Sequence, residues 1–326
     1  MGRVPSLFLL SLLAPLWADD TLDLYFIDTD GGHATLVVAP SGESLLIDTG
    51  NEGYGGRDAT RIRAAARDAG VKKIDYLLIT HFHDDHVGGL VNLLEVLPAT
   101  TFLDHGVSVE TNSYPPAYQA AFAKAKHQVV SAGDSVKMKG LVVTVMAASG
   151  RDITAAGEPN PHCAAVPTRA EVPGEDAQSV ALVIEFGKFR FANLGDLTWN
   201  RELSLLCPRN KVGRADVFLA TRHGNESPKA IWGMAPRVAI LNNGARTGGE
   251  AAGWKNILAS PGIEDMWQLH FAMANGGDAN APDARIANLG EAGDGVHLKV
   301  SAAADGSFTV LNPRNKYTKK YEASGK

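Results

Sequence analysis

Cysteine is nearly missing from this 326-residue sequence: Cys163 and Cys207 are the whole complement. So few exclude a scaffold built from disulfides. Neither lies in a C-x-x-C spacing, so no cysteine-ligated zinc module is present. The two either pair or stand as separate buried thiols, because sequence carries no distance between them. An excess of basic charge is also lacking. Lys and Arg number 31 against 36 Asp and Glu, for a formal net charge of -5 and a pI near 6.1. No overall positive field therefore gathers polyanions. No basic stripe is interleaved with aromatics, and the basic run KYTKK at 316–320 is short. A small molecule is thus the expected substrate and nucleic acid the less expected one. Internal repeats and linkers are missing too. With 45% hydrophobic and 21% charged residues, the chain has the make-up of a folded globular protein rather than a disordered one, and its length suits one large domain or two small ones.

What is present begins at the N-terminus. MGRVPSLFLLSLLAPLWADD has a cation at Arg3, an apolar stretch through Trp17, and Ala18 before Asp19. The stretch is short for a bilayer span and is interrupted by Pro15. It reads as a secretory signal peptide over residues 1–18, with the mature domain at 19–326. Periplasmic or secreted export is expected, with no stable membrane span after processing. Nothing in the chain speaks to oligomeric state.

From Thr21 onward TLDLYFID, ATLVVAP and SLLID read as strands separated by DGG and SGE turns. Helical spacing of Ile62, Ala65, Ala66 and Ala69 marks a helix that Gly70 ends. KIDYLLIT is a buried strand. HVGGLVNLLEVL predicts a helix with Val91, Leu94 and Leu97 facing inward. TFLD, PPAYQAAFAKAK and MKGLVVTVMAA continue the alternation, and residues 150–177 read as a long functional loop. SVALVIEFGKFRFANLGD is a hairpin turning at Gly187, and NRELSLLC a helix. RADVFLAT, RVAILNNG and EDMWQLHF are strands, and VHLKVSAAADGSFTVLNP is a closing hairpin at Asp305–Gly306. Two strand-rich stretches punctuated by helices imply two sheets covered by helices in one α/β domain.

One short segment carries the chemistry. Residues 77–90, LLITHFHDDHVGGL, release His81, His83, Asp85 and His86 into a loop after a buried strand, as H-x-H-x-D-H. Imidazole nitrogens and a carboxylate at this spacing suit zinc or a pair of borderline divalent cations. Gly88 and Gly89 follow at once and permit a tight turn beside the crowded ligands.

With this motif the sequence resembles the metallo-β-lactamase superfamily, over roughly residues 21–272. LLIDTG, FANLGD and ATRHG supply Asp48, Asp196 and His223 in the family's order. The opening YFIDTDGGHATLVVAPSGESLLIDTG is similar to the metallo-β-lactamase domain of bacterial DNA-uptake (competence) proteins. The resemblance implies a single-domain, four-layer αββα sandwich with a C-terminal β-hairpin extension, holding one or two divalent metals, zinc being the expected ion. His81 and His83 would hold one metal, Asp85, His86 and His223 the other, and Asp196 would bridge. Asp48 would orient a ligand histidine, and Asp85 would also accept the proton of the reaction. Two departures stand out. The histidine that many members carry before the strand leading to the bridging aspartate is absent from EDAQSVALVIEF, and RHG replaces the HHG of many DNA-uptake relatives. His105 or His162 is a candidate for completing the first metal. Asn243 and Arg246 in LNNGARTGG are candidate substrate contacts, and His270 in WQLHF a candidate oxyanion donor. An exported hydrolase of an ester or lactone, including an N-acyl-homoserine lactone, is the leading expectation. A phosphodiesterase or nuclease-like hydrolase is the alternative, and a non-catalytic metal-site scaffold the third.

Overall fold

Strand alternation sorts the apolar residues into two opposed faces. In Leu22–Phe26, residues Leu22, Leu24 and Phe26 enter one core while Tyr25 enters another; in Ser44–Ile47, Leu45 and Ile47 separate likewise from Leu46. The computed structural model describes residues 21–225, 228–275 and 279–324. The signal peptide expected over 1–18 lies outside these residues.

The first set of side chains meets a second sheet, whose Val143, Ile184, Phe191, Val217, Ile240 and Trp267 belong to the same buried cluster. The other face of the first sheet packs under the helices Arg57–Asp68, Leu90–Val96 and Pro116–Phe122 through Ile62, Ala66, Leu90, Leu93 and Tyr118. The outer face of the second sheet lies under Trp199–Leu206 and Ala251–Leu258, with Leu205, Leu206 and Ile257 at the contact. The layers therefore run helix, sheet, sheet, helix. Each fully buried Leu or Ile contributes roughly 1.5–3 kcal/mol to holding them together.

Among the described residues each of the two large sheets has nine strands. In the first, Ser44–Ile47, Ile74–Leu78, Ala99–Asp104 and Lys126–Val129 are successive parallel neighbours. In the second, Phe189–Asn193, Val217–Leu219, Val238–Leu241 and Asp265–His270 are parallel. Parallel strands finish at the same edge of a sheet, so the loops after them collect together, and ligand sites form at such edges. Asp48, His81, Asp196, His223 and Asn242 all follow such strand ends.

Several expectations need correction. In the helix Leu90–Val96 the buried residues are Leu90 and Leu93, with Leu97 buried just after it. Val91 is 53% exposed and Leu94 only half-buried. The inward face is displaced because Gly88 and Gly89 separate a first short turn, Asp84–Val87, from this helix. The basic run KYTKK belongs to a strand not foreseen after the closing hairpin: Tyr317–Tyr321 is the edge strand of the first sheet, antiparallel to Phe308–Asn312. The segment 150–177 is not free of structure either, since Glu158–Pro159 pairs with Arg209–Asn210. Cys163 and Cys207 form a disulfide, with Cα atoms 5.7 Å apart.

Tyr321 locks the C-terminal strand in place. Its ring stacks on Phe308 at 4.6 Å, its hydroxyl donates to Asp265 at 2.7 Å, and Trp267 Nε1 donates to it at 3.0 Å. Burial pushes the phenol up to about 12. A phenol harder to ionise in the folded state contributes stability below pH 10 that is lost as pH rises towards 12. Tyr321→Phe is therefore expected to be about 1 kcal/mol less stable than the parent at neutral pH. The difference should shrink in denaturant titrations between pH 10 and 12, and a constant difference across that range would refute this account.

Candidate metal centre

The centre is organised behind the ligands, at Asp48. This residue is fully buried and left-handed, with φ of 61°. Its carboxylate accepts the Thr80 backbone N–H at 2.7 Å, the Thr80 hydroxyl at 2.6 Å, His86 Nδ1–H at 2.7 Å and His33 Nδ1–H at 2.6 Å. Burial alone would raise its pKa. His86 and His33 overcome that and hold it well below the usual carboxylate range. Thr80 passes the effect on, because its hydroxyl lies 3.2 Å from His81 Nδ1. With the Nδ1 hydrogens of His81 and His86 engaged on this side, their Nε2 lone pairs face the opposite way.

On that opposite side the remaining residues converge. His86 Nε2 lies 3.6 Å from Asp196 Oδ1 and 3.7 Å from Asp85 Oδ2. His223 Nε2 lies 3.2 Å from Asp196 Oδ2 and 3.3 Å from Asp85 Oδ2. His81 Nε2 and His83 Nδ1 are 3.0 Å apart. Asp196 thus lies beside His86 and His223, and its carboxylate is within 4.8 Å of His81 as well. The side-chain amide of Asn242, 3.0 Å from Nδ1 of His223, fixes the orientation of that ring.

These donors fit a divalent cation. His86 Nε2 and His223 Nε2 are buried and have no hydrogen-bond partner, a costly condition that a cation relieves. The sets His81–His83–Asp176, His81–His86–Asp196 and Asp85–His86–His223 each bring their ligand atoms within 4.8 Å of one another. A further set, His33–Asp48–His86, is already consumed by its own hydrogen bonds. Without a cation the charges balance among themselves. Burial would lower His86 and His223, but Asp196 overrides it, leaving His86 well above its ordinary value and His223 at about 9. Burial would likewise raise Asp196, which His223 and His86 hold well below the usual range. Burial, aided by the charge on His86, pushes His81 down to about 3.

The other predicted residues lie elsewhere. His105 is not drawn to the cluster: its Nε2 is 3.0 Å from Glu175. His162 packs edge-on against Trp232. His270 is fully buried with Nε2 2.7 Å from Asp28, so it presents no donor to a substrate. Asn243 is fully buried and donates to the His270 carbonyl at 2.9 Å, holding two strand ends together rather than contacting substrate. Arg246 is exposed and paired with Glu291. Sequence reasoning missed His33 and Asp176. His33 follows a Gly-Gly turn and Asp176 sits in an irregular stretch, and neither stands out until the segments are brought together.

Glycines 88 and 89 have ordinary helical φ values of -63° and -71°, so their need is space rather than unusual conformation. A Cβ on Gly88 would lie 2.2 Å from the Asp84 carbonyl oxygen, and one on Gly89 2.1 Å from that of Thr49. The ligand turn is pressed against the backbone next to Asp48. Gly89→Ala is expected to cost about 1–3 kcal/mol and to weaken metal retention on dialysis. Parent-like stability and metal content would show that the contact is slack.

A sequence model of the family described as Metallo-beta-lactamase superfamily matches residues 27–171. Recombination protein 2 of Haemophilus influenzae is 24% identical over 237 residues, covering 72% of this chain and 25% of that protein. Ribonuclease Z of Methanopyrus kandleri is 32% identical over 123 residues, covering 36% of this chain and 39% of that one. The chain thus spans less than half the length of these relatives. Among solved structures, the metallo-beta-lactamase fold protein YhfI from Bacillus subtilis matches with a TM-score of 0.48 and 11% identity, over 76% of this chain and 96% of that one. The H-x-H-x-D-H turn lies inside the family match, and the chain carries a metallo-β-lactamase superfamily domain.

Proposed function

We propose that this chain is a metal-dependent hydrolase that directs water at an ester-type bond. The observation that carries the reading is the pair of buried imidazole nitrogens of His86 and His223, which make no hydrogen bond and lie 3.2 to 3.7 Å from the ionised carboxylates of Asp85 and Asp196. Bound there, one or two divalent cations, zinc by the histidine-rich donor set, would lower the pKa of water and polarise the oxygen under attack. The chain's own residues do the rest. Asp48 and Thr80 hold the rings in the orientation that frees Nε2. Asp85, 35% exposed at the mouth of the site, is placed to receive a proton and pass it to the leaving group.

For the scissile bond we infer a phosphodiester. Arg222, next to His223 in sequence, lines a cleft of about 270 Å³ with Arg169, Thr198, Trp199 and Asn200. A cleft bearing two guanidinium groups suits a phosphoryl anion, although Arg222 also pairs with Asp176 and Glu250 lies in the same wall, and one relative is named a ribonuclease. Hydrolysis of a carboxylic ester or lactone, N-acyl-homoserine lactones included, is the second reading. It rests on the net charge of -5 and on export, which we infer from residues 1–18.

Bis-p-nitrophenyl phosphate, a p-nitrophenyl ester and an acyl-homoserine lactone, assayed side by side with and without chelator, test this. Metal-dependent turnover of the diester is expected, and turnover of the lactone alone would reverse the assignment. His86→Ala and Asp196→Ala should each lower turnover by about a thousandfold or more, with unfolding still cooperative. Activity retained in both would place the chemistry elsewhere. A parent that takes up no divalent metal would point to the scaffold role.

A further inference from the structure

The two departures from the superfamily pattern, the missing histidine and the arginine of RHG, meet in space. Asp176, in the stretch that lacks the histidine, places Oδ1 3.0 Å from His83 Nδ1 and 3.5 Å from His81 Nε2. Its other oxygen, Oδ2, takes Arg222 Nη2 at 2.7 Å. We propose that Asp176 is the third protein ligand of the metal held by His81 and His83, and that Arg222 is its positioning partner.

Charge supports the pairing. A carboxylate in place of a neutral imidazole adds one negative charge to a site that already holds Asp85 and Asp196. An arginine in place of a neutral histidine adds one positive charge and meets that same carboxylate. Neither exchange alone leaves the local balance unchanged, and the two together do. The ion pair also fixes the side chain, since with Oδ2 engaged, Oδ1 is held towards the imidazoles.

The backbone is fixed independently. The neighbouring Glu175 is buried and accepts the N–H of Phe82 at 3.1 Å, that of Val109 at 2.7 Å and His105 Nε2 at 3.0 Å. Phe82 stands between His81 and His83, so Glu175 ties the Asp176 segment to the histidine turn. His105 therefore serves this metal at one remove. Arg222 and His223 are consecutive left-handed residues, with φ of 51° and 60°. Their side chains part, Arg222 to Asp176 and His223 to Asp85 and Asp196.

This inference rests on the metal-dependent reading above, and metal content separates the two. The parent, Asp176→Asn, Asp176→His, Arg222→Gln and the double variant Asp176→His/Arg222→His are loaded with zinc, dialysed and analysed for bound metal. The parent is expected to keep about two ions per chain and Asp176→Asn about one. Arg222→Gln should release the affected ion about 10–100-fold more readily, and the double variant should recover parental content. Cobalt-loaded parent and Asp176→His are compared by visible absorption, because exchanging an oxygen ligand for nitrogen changes the d–d bands. This comparison also decides the matter if the parent holds a single ion or if Asp176→Asn does not fold. Unchanged cobalt bands, or undiminished metal in a folded Asp176→Asn, would overturn the assignment of Asp176 alone. No metal uptake by the parent would overturn the hydrolase reading itself.

Discussion

A carboxylate buried without any exposure is costly unless its lone pairs are filled, and the arrangement of the site depends on how Asp48 fills its own. It accepts four hydrogen bonds, from Thr80 twice, His86 and His33. Those partners lie on the loop before the strand Thr35–Val38 and on the turn after Ile74–Leu78, so one side chain fastens separate segments of the first sheet together. It also decides which ring nitrogens face the ligand side. The glycines beyond His86 belong to the same construction, because they let the ligand turn lie against the chain next to Asp48.

The site carries strain as well as charge. Asp48, Arg222 and His223 all have positive φ without being glycine, at about 1–3 kcal/mol each. Such conformations persist only where the surroundings hold them. Here the holding groups are Thr80 and His86 around Asp48, Asp176 beside Arg222, and Asn242 with the two carboxylates around His223. The second sheet brings His223 on this strained turn and Asp196 on its own loop, so the candidate centre spans both halves of the sandwich.

A separate buried polar group stabilises the neighbouring edge. His270 and Arg61 Nη1 lie 2.7 and 2.8 Å from opposite oxygens of Asp28, joining the strand Asp265–His270 to the helix Arg57–Asp68. This explains why a histidine at the right strand end nonetheless takes no place in the candidate metal centre. Being at the correct edge of a sheet brings a side chain near a site, but its partner determines where its polar atoms point.

The sequence by itself determined the strands and the ligand turn, because both are local in the chain. Period-two apolar runs show which face each strand buries, and His81, His83, Asp85 and His86 lie within six positions of one another. Asp48, Asp196 and His223 were legible by their order in the family pattern. Only the tertiary structure decided the rest. His33, Asp176 and Glu175 take their meaning from partners many residues away, and Arg222 reads as a lost histidine until Asp176 is found beside it. His105, His270, Asn243 and Arg246 had suitable chemistry and were claimed by Glu175, Asp28, the His270 carbonyl and Glu291. Hydrogen bonds and ion pairs act over about 3–4 Å of space, and contacts between distant segments are fixed only when the two sheets close on each other.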